Sequence, residues 1–430
     1  MKKISKTNYR LRSIASGAVF DDEGWTLEAP DELRPGLIRA LYEKKQIDFK
    51  DPSLGIYRFA DWLPVNNFLE GSSAPVTYKS EGLAGQLGLT NLYITFSGYW
   101  PEKDAFMNTC SFKETEAFSV CGRLNHCNSK VLVVASAGNT SRSFARVCSD
   151  HKIPLLICVP EDNTDALWFD APIDENYVKL IVSRTGSDYF DAIYLSNIAC
   201  RHPDFIPEGG AKNIARRDGM GTTVLSAVEH IGRIPEYYFQ AIGSGTGAIA
   251  AWEASLRLLE DGRFGTHKMK LMVSQNHPFT PIMDSWLAGS RDILPMNDEE
   301  ARGKVEKIMA KVLSNRKPPY ALAGGLYDAL KDAGGEVLAA TNREAEEAGR
   351  LFEEIEGIDL HPAASVATAT LIRAVKDQKV DKDSLIMLNI TGGGEKKFMS
   401  DKALYYLKPS EIFDMNPTVA EVHARLDRLF

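Results

Sequence analysis

The sequence has few of the features that would send a protein into a membrane, onto nucleic acid or out of the cell. Its longest apolar runs, Val131 to Ala135 and Ile153 to Val159, fall far short of the roughly 18 residues a membrane-spanning helix needs. Positive charge is not in surplus: 50 lysines and arginines face 58 aspartates and glutamates, a formal net charge of −8. No basic field exists to hold nucleic acid or anionic lipid, although an acidic shell leaves room for a small cationic pocket. Cysteine is scarce. Cys110, Cys121, Cys127, Cys148, Cys158 and Cys200 include no C-x-x-C pair, which speaks against a secreted disulfide scaffold and predicts reduced thiols. The eight histidines, scattered from His126 to His423, lack ligand spacing, so no metal site is expected. Met1-Lys2-Lys3 leads to Asn8-Tyr9-Arg10 rather than to an apolar core, so no signal peptide is expected. Repeats and low-complexity linkers are missing too. The expectation is a soluble, cytoplasmic protein.

What is present reads as globular. Hydrophobic residues make up 44% and charged residues 25% of the 430, a length that suits two or three domains of about 150 residues. Lys130 to Ala135 is a short apolar strand, and a helix from about Ser141 to Asp150 follows it. Ile153 to Val159 and Lys179 to Val182 are further strands, and Gly186-Ser187 introduces a helix carrying Ile193 and Ile198. The rhythm returns with a strand at Tyr237 to Ile242, a helix from Ala248 to Glu260 and strands at Lys270 to Ser274 and Leu385 to Ile390. Residues 298–313, 341–356 and 417–428 read as charged amphipathic helices. This alternation predicts parallel α/β sheets sharing one crevice.

Four short segments carry chemistry. Gly243-Ser244-Gly245-Thr246-Gly247 lies between a strand and a helix, where glycines let backbone N–H groups approach a phosphate. Read alone, it is equally a tight turn packing helix on strand. It is neither G-x-G-x-x-G nor a P-loop. Lys113, in Ser111-Phe112-Lys113, opens a helix, the end at which a positive charge is disfavoured. It is either a solvated surface charge or an amine of lowered basicity suited to a Schiff base. Ser136-Ala137-Gly138-Asn139-Thr140 closes a parallel strand, where open α/β sheets bind ligands; Asn139 could equally be a helix N-cap. Thr391-Gly392-Gly393-Gly394 is placed in the same way.

Taken together, in this order, the four segments resemble the fold-type II pyridoxal-phosphate enzymes, which include threonine synthase and cysteine synthase. The resemblance runs from Ser73 onward. Ala74-Pro75-Val76-Thr77-Tyr78 is similar to the family's opening T-P-L segment, and LAGQLGLTNLYITFSGY (83–99) to its helix–strand lead-in. SFKE at 111–114 stands for the usual SFKD and SAGNT at 136–140 for SSGNT. Glu208-Gly209-Gly210 and the stretch Glu356 to Ala363 match its E-G-G and E-G-I-x-x-x-P-A. The resemblance implies a fold of the tryptophan synthase β type, with two open parallel-sheet α/β domains and pyridoxal 5′-phosphate in the cleft between them. The large domain would comprise 1–114 and 206–430, and 115–205 would form a small mobile domain. Lys113 would carry the cofactor, Asn139 would bond its 3′-oxygen, Gly243, Ser244, Gly245, Thr246 and Gly247 would hold its phosphate, and Thr391 would face its ring nitrogen. Ser136, Ala137, Gly138 and Thr140 would cradle the substrate carboxylate. A homo-oligomer is implied as well.

Threonine synthase is the nearer branch, but the chain departs from it. Tyr9 to Gly17 keeps the frame of its Y-R-L-R-C-x-x-C-G knuckle, with Ser13 and Ser16 at the cysteine places, so no metal is expected there. An extended segment from Tyr99 to Asn108 precedes the lysine and would sit over the substrate. Arg142 and Arg146 follow the Asn139 turn, and Lys212, Arg216 and Arg217 follow the E-G-G segment. Of these, Arg142 is the first expectation for an anion donor beside the substrate, with Lys212 and Arg216 behind it. This combination resembles the cysteate synthases of methanogenic archaea. That resemblance implies O-phospho-L-serine plus sulfite giving L-cysteate plus phosphate, on the route to coenzyme M. Threonine synthase acting on O-phosphohomoserine, a sulfide-using cysteine synthase and a non-catalytic cofactor-binding protein remain the alternatives. A dinucleotide oxidoreductase is disfavoured, because Glu260 and Asp261 are the nearest acids to a ribose partner and fall at the end of the predicted helix.

Overall fold

The computed structural model describes residues 7–430 apart from 31, 125–129, 137 and 188. Six apolar strands form the first sheet, in the order Glu336–Ala340, Lys270–Asn276, Tyr237–Ala241, Leu385–Ile390, Asn91–Phe96 and Val76–Lys79. All neighbours run parallel except the last pair. The second sheet has five parallel strands, in the order Phe205–Pro207, Val131–Ala135, Leu155–Pro160, Val178–Ser183 and Glu411–Phe413. Strands covered on both faces are nearly continuous apolar runs; all six residues of Leu385–Ile390 and of Leu155–Pro160 are buried, and the polar exception, Asn389, bonds Tyr238 and Gln240.

Successive side chains on a strand face opposite ways, so each sheet feeds two cores. Leu271 and Val273 join one and Met272 the other in the six-stranded sheet. Leu155, Ile157 and Val159 oppose Leu156 and Cys158 in the five-stranded one. Between the sheets, helix Ile214–Ile231 is packed against helices Lys113–Arg123 and Thr246–Asp261. At Gly219 a Cβ would lie 2.6 Å from Thr115 O and 2.7 Å from Ser119 Cβ. Only glycine lets these two helices approach so closely. Among the described residues, no helix is long and apolar enough to cross a membrane.

Three expectations need correction. The carboxyl-terminal residues do not all go with the first sheet, as a domain of 206–430 required. Glu411–Phe413 pairs with Val178–Ser183, and Phe413, Val422 and Leu426 complete the core beneath it, covering what would be an open sheet edge. Residues 298–313 are not one helix. Asp298–Lys307 is followed by an extended stretch, because Asn342 Oδ1 takes the Met309 N–H and Asn276 Oδ1 the Ala310 N–H, each at 3.0 Å. Finally, no residue of Tyr99 to Asn108 lines the cavity of the crevice. Tyr99 and Trp100 are buried, packed against Phe398 and Phe96. At the other end of the chain, Ser13 Oγ accepts the Ser16 N–H at 3.1 Å and pairs with Glu32, so a hydrogen bond between the two serines closes the turn.

Asn276 is fully buried and also bonds Ala340 O. Asn276→Ala leaves the Ala310 N–H without its partner and is expected to lower the unfolding free energy by about 1–3 kcal/mol, read from the denaturant midpoint.

Candidate active site

The site lies where strands from both sheets end, the usual place for ligands on open α/β sheets. Strand Tyr237–Ala241 runs into the glycine loop, and helix Thr246–Asp261 begins inside it, earlier than the expected Ala248. Its N-cap is Gly245, with φ +79 and no side-chain cap. The N–H groups of the first turn therefore have no partner from within the helix, at the positive end of its dipole. Ser244 Oγ lies 2.8 Å from Thr246 Oγ1. The back of the loop is tightly packed: a Cβ at Gly243 would meet Val312 O at 2.8 Å and one at Gly247 would meet Gln240 Nε2 at 2.5 Å. Its front faces a cavity also reached by Ser111, Phe112, Lys113 and Thr391.

Lys113 is the first residue of helix Lys113–Arg123. Burial pushes its ammonium below the ordinary lysine range; Glu116 opposes that shift and Arg216 adds to it. Lys113 Nζ is 3.2 Å from Glu116 Oε2, and Arg216 Nη2 is 2.9 Å from Glu116 Oε1. Arg216 also pairs with Glu208 and reaches Thr140 Oγ1 at 3.4 Å. Cations and carboxylates thus alternate: Lys113, Glu116, Arg216, Glu208. Burial lifts the Glu208 carboxyl above its usual range, while Arg216 opposes this. Arg216 Nε has no hydrogen-bond partner in the protein. Among the described residues, Lys113 and Arg216 are the lysine and arginine that line the cavity.

The turn after Val131–Ala135 contributes Ser136, Gly138, Asn139 and Thr140. Ser136 Oγ accepts the Gly138 N–H at 3.0 Å. Gly138, not Asn139, caps helix Asn139–His151. The Asn139 amide is left to the cavity, 3.3 Å from His361 Nε2. Thr391 follows strand Leu385–Ile390, and its carbonyl accepts the Phe112 N–H at 2.9 Å, fastening the strand end to the residue before Lys113. Lys113, Asn139, Gly243, Ser244, Gly245, Thr246, Gly247, Thr391, Ser136, Gly138 and Thr140 thus all line one cavity. Ala137 lies outside the described residues.

The expected anion donor, Arg142, is elsewhere. Its guanidinium stacks 3.8 Å above the Trp168 ring and bonds Thr109 O, Ala166 O and Glu395, and the residue is 2% exposed. It pins the segment before Lys113 and does not line the cavity. Arg146 pairs with Asp150 and Asp170, Lys212 with Glu28 and Arg217 with Glu253. Of the basic residues singled out in the sequence, Arg216 is the one that reaches the site with Lys113. Sequence reasoning missed Glu116 and His361. Glu116 had a readable signal, because residues three apart on a helix are neighbours; His361 showed only as an unassigned position inside the E-G-I-x-x-x-P-A match.

A family model described as pyridoxal-phosphate dependent enzyme matches residues 80–392, and the chain belongs to that family. Within it, the chain stands with the cysteate synthases. It is 49% identical over 413 residues to the cysteate synthase of Methanosarcina acetivorans, covering 95% of this chain and 97% of that protein. With the cysteate synthase of Methanospirillum hungatei it shares 42% over 420 residues, 98% of each. The solved structure of maize serine racemase matches with a TM-score of 0.56 at 14% identity, over 76% of this chain and 91% of that one; at that identity the likeness shows the fold. The fold is the type II fold of pyridoxal-phosphate enzymes, and the cofactor is pyridoxal phosphate. The residues present fit it: an uncapped helix start for a phosphate, an amine of lowered basicity and the Thr391 side chain line one cavity.

Two outcomes follow from this packing. Arg142→Ala leaves buried carbonyls unpaired and is expected to cost about 3 kcal/mol in denaturant unfolding, with Michaelis constants close to those of the unaltered chain. Glu114, the residue standing for the family's aspartate, accepts the Thr109 N–H and Oγ1–H, both at 3.0 Å, and burial pushes its carboxyl up to about 7. The fold therefore prefers its protonated form. Stability should fall as pH rises from the unfolded value, about 4.3, through 7, and Glu114→Gln should flatten that slope in pH-dependent unfolding.

Proposed function

We propose that the protein replaces the phosphate of O-phospho-L-serine by sulfite, giving L-cysteate and phosphate. The observation that carries this reading is a cavity with two separate places for anions around one amine. One is the helix start at the glycine loop; the other is Arg216. The loop N–H groups with the Ser244 and Thr246 hydroxyls hold the cofactor's phosphate, which leaves Arg216 for the substrate's. The names and the near-complete coverage of the cysteate synthases support the same assignment.

Bound pyridoxal phosphate supplies the electron sink that acidifies the substrate's Cα–H and lets its β-substituent leave. Asn139 bonds the 3′-oxygen. The Thr391 hydroxyl, a far weaker acid than a carboxyl, gives the ring nitrogen no full proton, which suits replacement at Cβ. Lys113 Nζ, made less basic by burial, takes the Cα proton as the Cβ–O bond breaks and phosphate leaves with the electron pair. It returns the proton once sulfite sulfur has formed the Cβ–S bond. Ser136, Gly138 and Thr140 hold the substrate carboxylate. Arg216 meets the departing phosphate and the incoming sulfite in turn, its forked donors suiting both oxyanions. The five-stranded sheet and its helices, formed by residues 131–207 and the carboxyl-terminal strand, act as the moving part that closes on the site and excludes water.

The test is a substrate panel on the pyridoxal-phosphate-loaded protein. O-phospho-L-serine with sulfite is expected to give cysteate and phosphate, with little turnover when sulfite is left out. Sulfite-independent formation of threonine from O-phosphohomoserine at a useful rate would overturn the assignment, as would faster formation of cysteine from sulfide. Borohydride should fix the cofactor on the Lys113 peptide, and Lys113→Ala should abolish both labelling and turnover. Arg216→Lys keeps the charge and loses the fork; it is expected to raise the Michaelis constant for sulfite about tenfold.

A further inference from the structure

His361 has no part in the reaction described above, yet it lines the cavity beside Asn139. It is held on three sides. It caps helix Pro362–Lys376, its Nδ1 accepting the Ala363 N–H at 3.3 Å. Its backbone N–H donates to Gly392 O at 3.0 Å, in the turn after Thr391. Its Nε2 lies 3.3 Å from the Asn139 side-chain amide. Burial lowers its basicity, Glu395 opposes that and Arg142 adds to it, which favours the neutral ring. A neutral imidazole carries one proton, and Nδ1 is already an acceptor, so the proton is on Nε2. An N–H donor aimed at the amide requires the amide oxygen. The two ends of an asparagine amide have the same shape, and the hydrogen-bond network decides which end points where. Asn139 Nδ2 is the atom placed 3.3 Å from Nε2; two donors cannot share that contact, so the amide ends exchange, which turns Oδ1 to His361 and the NH2 group to the ligand.

We propose that His361 is a positioning residue that locks the Asn139 amide with its NH2 group facing the cavity, so that the cofactor's 3′-oxygen is held as an oxyanion. A donor at that point favours the deprotonated oxygen, whereas a freely rotating amide could equally accept from a hydroxyl. The inference rests on the placement of Asn139 at the 3′-oxygen given above. It also joins the two halves of the site, since Asn139 follows a strand of the five-stranded sheet and His361 begins a helix packed on the six-stranded one.

The experiment compares two ligands that differ only at that oxygen, pyridoxal 5′-phosphate and its 3-deoxy analogue. Both are bound to the full-length, cofactor-stripped chain and measured by equilibrium dialysis. The unaltered chain is expected to prefer the first by about tenfold, the worth of a charge-assisted hydrogen bond. Asn139→Ala should remove that preference. His361→Asn keeps a good helix cap but is too short to reach Asn139. It should retain the unfolding midpoint and lose most of the preference, a ratio that a purely structural defect, acting on both ligands alike, would not change. Nitrogen-15 spectra of histidine-labelled protein should show the His361 proton on Nε2. Full preference in His361→Asn, or a proton on Nδ1, overturns the proposal. Full preference in Asn139→Ala overturns the cofactor placement, and the proposal falls with it.

Discussion

The site depends on one buried carboxylate. Lys113 and Arg216 are both largely withdrawn from water, and without a counter-charge the two cations would repel each other at a helix start that already disfavours positive charge. Glu116 lies between them, fully buried, and offers one oxygen to each. Its position is secured by a helix contact rather than by the ion pairs themselves. Gly219 lets helix Ile214–Ile231 settle onto helix Lys113–Arg123, and that approach brings Arg216, near the start of the second helix, to the first turn of the other. Glu208 then takes the far side of the guanidinium. The result is an amine that burial makes less basic than an ordinary lysine and that Glu116 keeps from losing more of its basicity.

Around that centre, the two sheets supply rigid strand ends. The glycine loop, the Ser136–Thr140 turn and the Thr391 turn come from three different strands, and the bond from Phe112 N–H to Thr391 O ties the last of them to the segment that carries Lys113. Even the irregular stretch 308–315 is placed by the side chains of Asn276 and Asn342, which remove the N–H groups a helix would need and set Val312 to Asn315 against the loop. The net charge of −8 belongs to the surface of the chain. The anion chemistry belongs to a few donors that this average conceals.

Much of this was legible in the chain. Leu385 to Ile390 reads as a strand with the same limits the structure shows, because a run buried on both faces is apolar nearly throughout; its one polar side chain, Asn389, bonds Tyr238 and Gln240. The glycine loop and Lys113 are legible for a similar reason: their chemistry needs particular residue types at particular positions along the chain. The arginines were not. Arg142 follows the Asn139 turn and Arg216 the Glu208-Gly209-Gly210 segment, and the sequence favours Arg142, which is nearer to Asn139. Its actual partners, Thr109, Ala166, Trp168 and Glu395, lie in separate parts of the chain and leave no local trace.

Local pattern therefore determined most of the central strands and the places of the glycine loop and Lys113, because periodicity and turn chemistry act over a few residues, and the motifs in their order carried the resemblance to the family. Tertiary structure decided which cation lines the cavity with Lys113, which carboxylate makes that tolerable and that His361 meets the Asn139 amide. It also decided that the carboxyl terminus closes the second sheet. Each of these depends on burial and on partners brought together from distant parts of the chain, and a charge shows its role only when its surroundings are known.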